Sequence, residues 1–248
     1  MLMRTGEPFP LANSRNRLLR SLRPADRAML APDLEQVPLQ RGSRLFTADA
    51  LVDRLYFPER GLLALGEGRG LTARVEIAVV GCEGLVGWPA LLGCELCAHD
   101  AVVQGSDGRA LSIAVEPLLA ACRASQTLWM ALLGFVQAVM NQMTRTIASS
   151  IENTLDQRIA RWLLIRHDRL DGDHLLIRHD EIASALGVRR ASVTDRLHVI
   201  EGERLVRCRR GRIVIRDRAA LETFAGEAYG ACEAEYRGLL PTSDAASH

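Results

Sequence analysis

Between Arg15 and about Ser112 the apolar residues fall into short runs, 54–57, 62–65, 75–80, 101–103 and 110–113, broken by Gly, Pro and Asp. Runs of this length between turn residues predict an antiparallel β-roll, of sandwich or jelly-roll type, over 15–115. Leu18, Leu22 and Leu30 fall at near-helical spacing and predict one or two helices ahead of it. The pattern changes at Glu116. From 118 to about 151 there is no Pro and only Gly134 among glycines, which predicts a helix about 50 Å long at ~1.5 Å per residue. Along it Trp129, Leu133, Val136, Met140, Met143 and Ile147 follow alternating steps of four and three, the spacing of a coiled-coil seam. The stretch 116–152 is therefore expected to be a dimerisation helix joining two copies of the chain.

Helical periodicity continues over 155–170, with Ile159, Trp162 and Leu163 inward, and again over 180–186, where Gly187 stops it. A third helix is expected over 190–201, so that Ile182, Ala183, Leu186, Val188, Val193, Leu197 and Ile200 share one small core. Leu205 to Ile215 reads as two short strands around Arg210-Gly211. The whole is an α+β chain: roll, long helix, a winged helix-turn-helix over 153–220, and a helical tail over 221–248.

A helix ending at Gly187, a short turn and a third helix form a helix-turn-helix, whose second helix enters the major groove of DNA. Ala183, four residues before Gly187, supplies the small side chain that close helix crossing needs. The outward positions of the third helix are Arg189, Arg190, Ser192, Thr194, Asp195 and Arg196. Arginine grips guanine edges with two hydrogen bonds, and Ser and Thr suit bases or phosphates. The wing arginines Arg207, Arg209, Arg210 and Arg212 suit phosphate. Charge agrees with this placement. All 31 basic residues are Arg, and the net charge is only +1, yet 189–218 holds 10 Arg against 4 acids. Such a block on a near-neutral chain points to double-stranded DNA.

The strings Leu55-Tyr-Phe-Pro-Glu59, Gly81-Cys-Glu-Gly-Leu-Val-Gly87, Arg158-Ile-Ala-Arg-Trp-Leu163 and Ile182-Ala-Ser-Ala-Leu-Gly-Val-Arg-Arg-Ala-Ser-Val193 are similar to segments of the Crp/Fnr superfamily of bacterial transcription regulators. The resemblance covers about 15–220. It implies a cyclic-nucleotide-binding-like sensor roll, a parallel homodimer and operator binding as a two-fold pair. RNA polymerase and a small-molecule effector of unknown identity are the further partners it implies. The cyclic-nucleotide branch of that family holds the cyclic phosphate with Arg-Ser or Arg-Thr before an Ala. Here His99-Asp100 stands before Ala101, and a carboxylate there repels phosphate. Were the roll to grip phosphate otherwise, Arg69, Arg74 and Arg109 are the candidates.

No cofactor or metal is expected. Cys82, Cys94, Cys97, Cys122, Cys208 and Cys232 are too sparse for a disulfide scaffold, and the first four match no cluster spacing. The alternative of a metal-dependent cupin-like enzyme needs a His-x-His inside the roll, whereas 15–115 contains His99 alone. A protein-binding scaffold is the other alternative, distinguishable by salt-dependent binding to duplex DNA. No apolar run reaches the ~18 residues of a membrane span, and Pro8 and Pro10 interrupt what a signal peptide would need, so the expected location is cytoplasmic.

Overall fold

A computed structural model describes residues 11–67 and 75–230. Two short helices, α1 (Arg17–Ser21) and α2 (Pro24–Leu30), lead in. Asn16 anchors them: its side-chain carbonyl accepts from the Leu19 amide at 3.0 Å, and its NH2 donates to the carbonyls of Pro58 and Gly84 at 2.9 and 2.8 Å. The roll follows as β1 (Glu35–Leu39), β2 (Arg44–Phe46), β3 (Arg54–Glu67), β4 (Val75–Val80) and β5 (Asp100–Ala114). All pair antiparallel, in the order β1-β5-β3-β4 with β2 also on β5.

The four runs expected at 54–57, 62–65, 101–103 and 110–113 are two long strands. Pro58, Gly61 and Gly108, which read as breakers, sit where β3 and β5 bulge past each other. A Cβ at Gly108 would stand 1.9 Å from the Arg60 carbonyl oxygen, so only glycine allows the two backbones to pass.

The expected continuous helix over 118–151 is likewise two elements, α3 (Val115–Ala124) and α4 (Gln126–Glu152), bent by 120°. The break is made by Ser125, whose hydroxyl accepts from the Leu128 amide at 3.2 Å and so caps α4. Asp26 of α2 holds the corner, accepting from the Ser125 and Thr127 hydroxyls at 2.6 and 2.8 Å. Neither helix is long and apolar enough by itself to cross a membrane, and among the described residues no other single helix is.

α4 buries Leu128, Leu132, Phe135, Val136 and Val139 against the roll. Phe135 fills the space above Gly84, where a Cβ would lie 1.8 Å from the ring. This corrects the expected seam. Val136 is buried in the chain's own core, and Trp129 and Met143 pack against that core, so these three positions are turned to the roll. Leu133 is half-buried, while Met140 and Ile147 are 52% and 60% exposed. With Met130 and Ile151, 60% and 79% exposed, they lie on a stripe 130-133-137-140-144-147-151. The stripe keeps the three-and-four spacing but is rotated from the expected one, because α4 carries two apolar faces and the roll takes one of them.

After Asn153 come α5 (Leu155–His167), β6 (His174–Leu175), α6 (His179–Leu186), α7 (Arg190–Gly202), β7 (Val206–Arg209), β8 (Arg212–Ile215) and α8 (Arg218–Ala225). Ile159, Leu163, Ile182, Val193, Leu197, Ile200 and Ile213 are buried in one core. Leu221 and Ala225 belong to it as well, so this unit runs past the boundary expected at 220. The rest of the expected tail, 231–248 with Cys232, lies outside the described residues, as do Arg69 and Arg74.

α5 joins this unit to the roll. Leu62, Val79 and Ile165 form a buried apolar contact between them. Beside it Arg166, 1% exposed, pairs with Glu76 of β4, donates to Gln104 Oε1 of β5 at 2.8 Å and lies 3.2 Å over the Trp162 ring. Arg169 donates through Nε to Glu83 at 2.6 Å, both side chains being buried. Replacing Arg166 by Met leaves Glu76 and Gln104 without their partner and should cost about 3–5 kcal/mol in urea unfolding. The double variant Arg166→Met/Glu76→Met should recover a large part of that loss, since it removes the stranded charge. A single variant as stable as the parent would show that the pair does not hold the junction.

Candidate nucleic-acid interface

α6 and α7 are set by local chemistry. The Glu181 carboxylate accepts from the Arg178 amide at 2.7 Å, which fixes the start of α6. At its end Gly187 adopts φ +66°, and the amides of Gly187 and Val188 return to the carbonyls of Ser184 and Ala183 at 3.2 and 3.0 Å. This is a Schellman closure, and it requires a left-handed residue that glycine supplies without strain. Arg158 of α5 donates to the Leu186 carbonyl at 2.8 Å and satisfies another free end of α6. Val193, Leu197 and Ile200 then fix which side of α7 faces inward.

The candidate side chains divide into three groups. Arg189, the N-cap of α7, and Arg190 in its first turn are exposed, as is Asp195, and Ser192 is half-buried. Arg196 is exposed as expected, whereas Thr194, expected to face outward, is half-buried. The Thr194 hydroxyl donates to the Arg190 carbonyl at 3.1 Å and meets His179 Nδ1 of α6 at 3.0 Å, so it braces the two helices. Arg196 Nε lies 3.7 Å from the Asp156 carboxylate on α5, while the side chain stays 49% exposed. The open ridge of the helix passes through Ala191, Asp195, His198 and Val199, all exposed. Three of these were missed by sequence reasoning, although stepping three and four residues from Asp195 finds them.

The wing turns at Gly211, φ +74°, and Arg207, Arg209, Arg210 and Arg212 are exposed along it. Arg204 and Arg216, also exposed, extend the basic set beyond the expected residues. Glu201 of α7 accepts from the Cys208 amide of β7 at 3.0 Å and so fixes wing to helix. Burial and the neighbouring Glu201 push the half-buried Cys208 thiol up to about 11, which keeps it protonated at neutral pH. Among the described residues no group of three or more His, Cys, Asp or Glu side chains is placed to hold a metal ion. Within the roll, Cys97 is buried and its thiol donates to the His99 carbonyl, while Cys122 lies in the core.

His179 makes this region pH-sensitive. Burial, Arg190 and His198 hold its pKa below the ordinary 6.5. The folded chain therefore binds this proton less readily than the unfolded one, so stability is complete above about pH 6.5 and falls as pH drops through that value. The urea midpoint should decrease between about pH 7.5 and pH 5.5, and His179→Gln should reduce that decrease; an unchanged slope in the variant would exclude His179 as a source of it.

Residues 157–224 match the model of the Crp-like helix-turn-helix domain. No curated protein sequence matches the chain. Among solved structures it is similar to a transcriptional regulator of the Crp/Fnr family from Eubacterium rectale, with 19% identity and a TM-score of 0.66 over 84% of this chain and 97% of that one. A CRP-family transcriptional regulator from Thermus thermophilus is 25% identical, with a TM-score of 0.65 over 79% and 99% of the two chains. FixK2 from Bradyrhizobium japonicum shares the fold at 15% identity, with a TM-score of 0.67 over 77% and 96%. Roll, long helix and winged helix-turn-helix in this order give the chain the fold of Crp/Fnr-family transcription regulators, and residues 157–224 are a Crp-like helix-turn-helix domain.

Proposed function

We propose that the chain is a cytoplasmic, homodimeric regulator that binds a palindromic operator through α7 and the wing. The observation that carries this reading is the Gly187-closed pair of helices, with exposed Arg189 and Arg190 at the start of α7 and exposed arginines on the wing tied to it. Arg190 is assigned to base edges, and Arg207, Arg209, Arg210 and Arg212 to phosphates, with Arg189 and Ser192 beside Arg190 and Asp195 on the ridge. Two such units a helical turn apart, about 34 Å, would read two half-sites.

The stripe of Met130, Leu133, Met140, Ile147 and Ile151 is the proposed seam, because it leaves four large apolar side chains more than half exposed on one helix. Sensing does not use cyclic AMP in this reading. His99 stands where the family carries arginine and stacks on Trp88 at 5.0 Å, and Asp100, in the place of the family's Ser or Thr, is buried and accepts from the Ala48 amide at 2.9 Å.

Selection from random duplexes, with no cyclic nucleotide added, should return a palindrome. On that site Arg190→Ala should lose about 1–3 kcal/mol and relax one base preference, whereas Arg210→Ala should weaken all duplexes alike. Equal losses on specific and random DNA for both would move Arg190 to the backbone. Met140→Glu/Ile147→Glu places like charges in the seam and should give monomers by light scattering, with the melting temperature of the roll retained. A persistent dimer would place the interface elsewhere.

A further inference from the structure

We propose that the cleft between the roll and the winged helix is an effector site for a small anion bearing phosphate or carboxylate groups, whose place is taken here by the carboxylate of Asp171. This rests on the reading of the chain as a regulator and moves its signal from the interior of the roll to the junction. The cleft measures about 410 Å³, within the range that holds a small metabolite. Two of its arginines, one from the segment ahead of α1 and one from β3 of the roll, converge on one carboxylate from the winged-helix unit. Arg15 donates through Nη2 to both oxygens of Asp171, at 2.9 and 2.7 Å, and Arg60 Nη2 stands 3.8 Å from the nearer one.

The main chain at Arg15 is held in place before any ligand arrives. The buried Glu59 accepts from its amide at 3.1 Å and from the Ser14 hydroxyl. Arg60 sits in the bulge of β3, followed by Gly61 at φ +101°. The internal anion is held less firmly. Asp171 is 68% exposed and belongs to the turn between α5 and β6, and an exposed ion pair of this kind is weak in water. A ligand with two or more acidic groups can occupy both guanidinium groups and release the turn. The turn leads into β6, whose His174 and Leu175 pair with Val214 and Ile213 of the wing, and the Asp173 carbonyl accepts from the Ile215 amide at 3.0 Å. Occupancy of the cleft would thereby act on the wing, an element assigned above to DNA.

Calorimetric titration of the full chain with citrate and with inorganic phosphate, at fixed ionic strength, tests this. Saturable one-site binding is expected. Asp171→Asn removes the competing charge and should tighten it about fivefold. Arg15→Ala and Arg60→Ala should each weaken it by about tenfold or more. All three positions are at the surface, and thermal melts establish that the variants fold. Arg190→Ala should leave the titration unchanged, which separates the cleft from the basic DNA face. The proposal is overturned if neither probe binds the parent or Asp171→Asn, if Asp171→Asn does not tighten binding, or if the arginine variants keep full affinity. Duplex binding measured on the same samples judges the regulator reading separately: a chain that binds DNA but not the anion loses only the cleft.

Discussion

A guanidinium group taken out of water must be paired, and Arg166 is the place where that requirement decides the shape of the molecule. Its partners are Glu76 on β4, Gln104 on β5 and the face of Trp162, drawn from both units of the chain. Moving α5 off the roll would strand a charge on each side of the junction, a penalty larger than most single apolar contacts return. α6 follows from this placement: it packs on β4, with Val75 Cγ2 3.4 Å from where a Cβ of Gly187 would be. The attitude of the helix-turn-helix toward the roll thus depends on this buried side chain and its two polar acceptors, together with the Arg169–Glu83 pair and the apolar contact of Leu62, Val79 and Ile165.

Nothing local in the sequence marks Arg166. It reads as one more arginine in the last turn of an amphipathic helix, where a basic residue is expected to be solvated. The elements that were legible are those whose signals are short in range. Gly187 with Ala183, the buried positions of α7, and the turn at Arg210-Gly211 all act within a few residues, and each appears where the pattern puts it. The break at Ser125 was missed for the opposite reason. Its cap is local, but the side chain that holds the corner is Asp26, 99 residues away.

The seam shows a different limit. Periodicity says that α4 has apolar stripes, and it cannot say which stripe meets the chain's own roll. Trp129, Val136 and Met143 were assigned outward because they alternate well with Leu133, Met140 and Ile147. Packing reverses half of that assignment, since Phe135 is drawn in over the glycine-rich turn at Gly84 and Val136 beside it enters the core. In the same way Pro58, Gly61 and Gly108 signalled strand ends, whereas the close passage of β3 and β5 uses them as bulges inside longer strands.

Gly84 gives the glycine-rich turn a further consequence. It has no room for a Cβ beneath Phe135, so the turn 81–87 cannot stay in place if α4 rotates or slides. Glu83 in the same turn holds Arg169 at 2.6 Å, and Arg169 is two residues from Asp171 at the junction cleft. Phe135 of α4, Gly84, Glu83 and Arg169 thus link the helix that carries the exposed stripe to the segment that enters the turn before the wing. Phe135 over Gly84 is a contact with little free volume, and Glu83 with Arg169 is a buried charge with a fixed partner, both of a kind that transmits a shift without absorbing it. Association through α4 and occupancy of the cleft would then bear on the same turn from opposite ends.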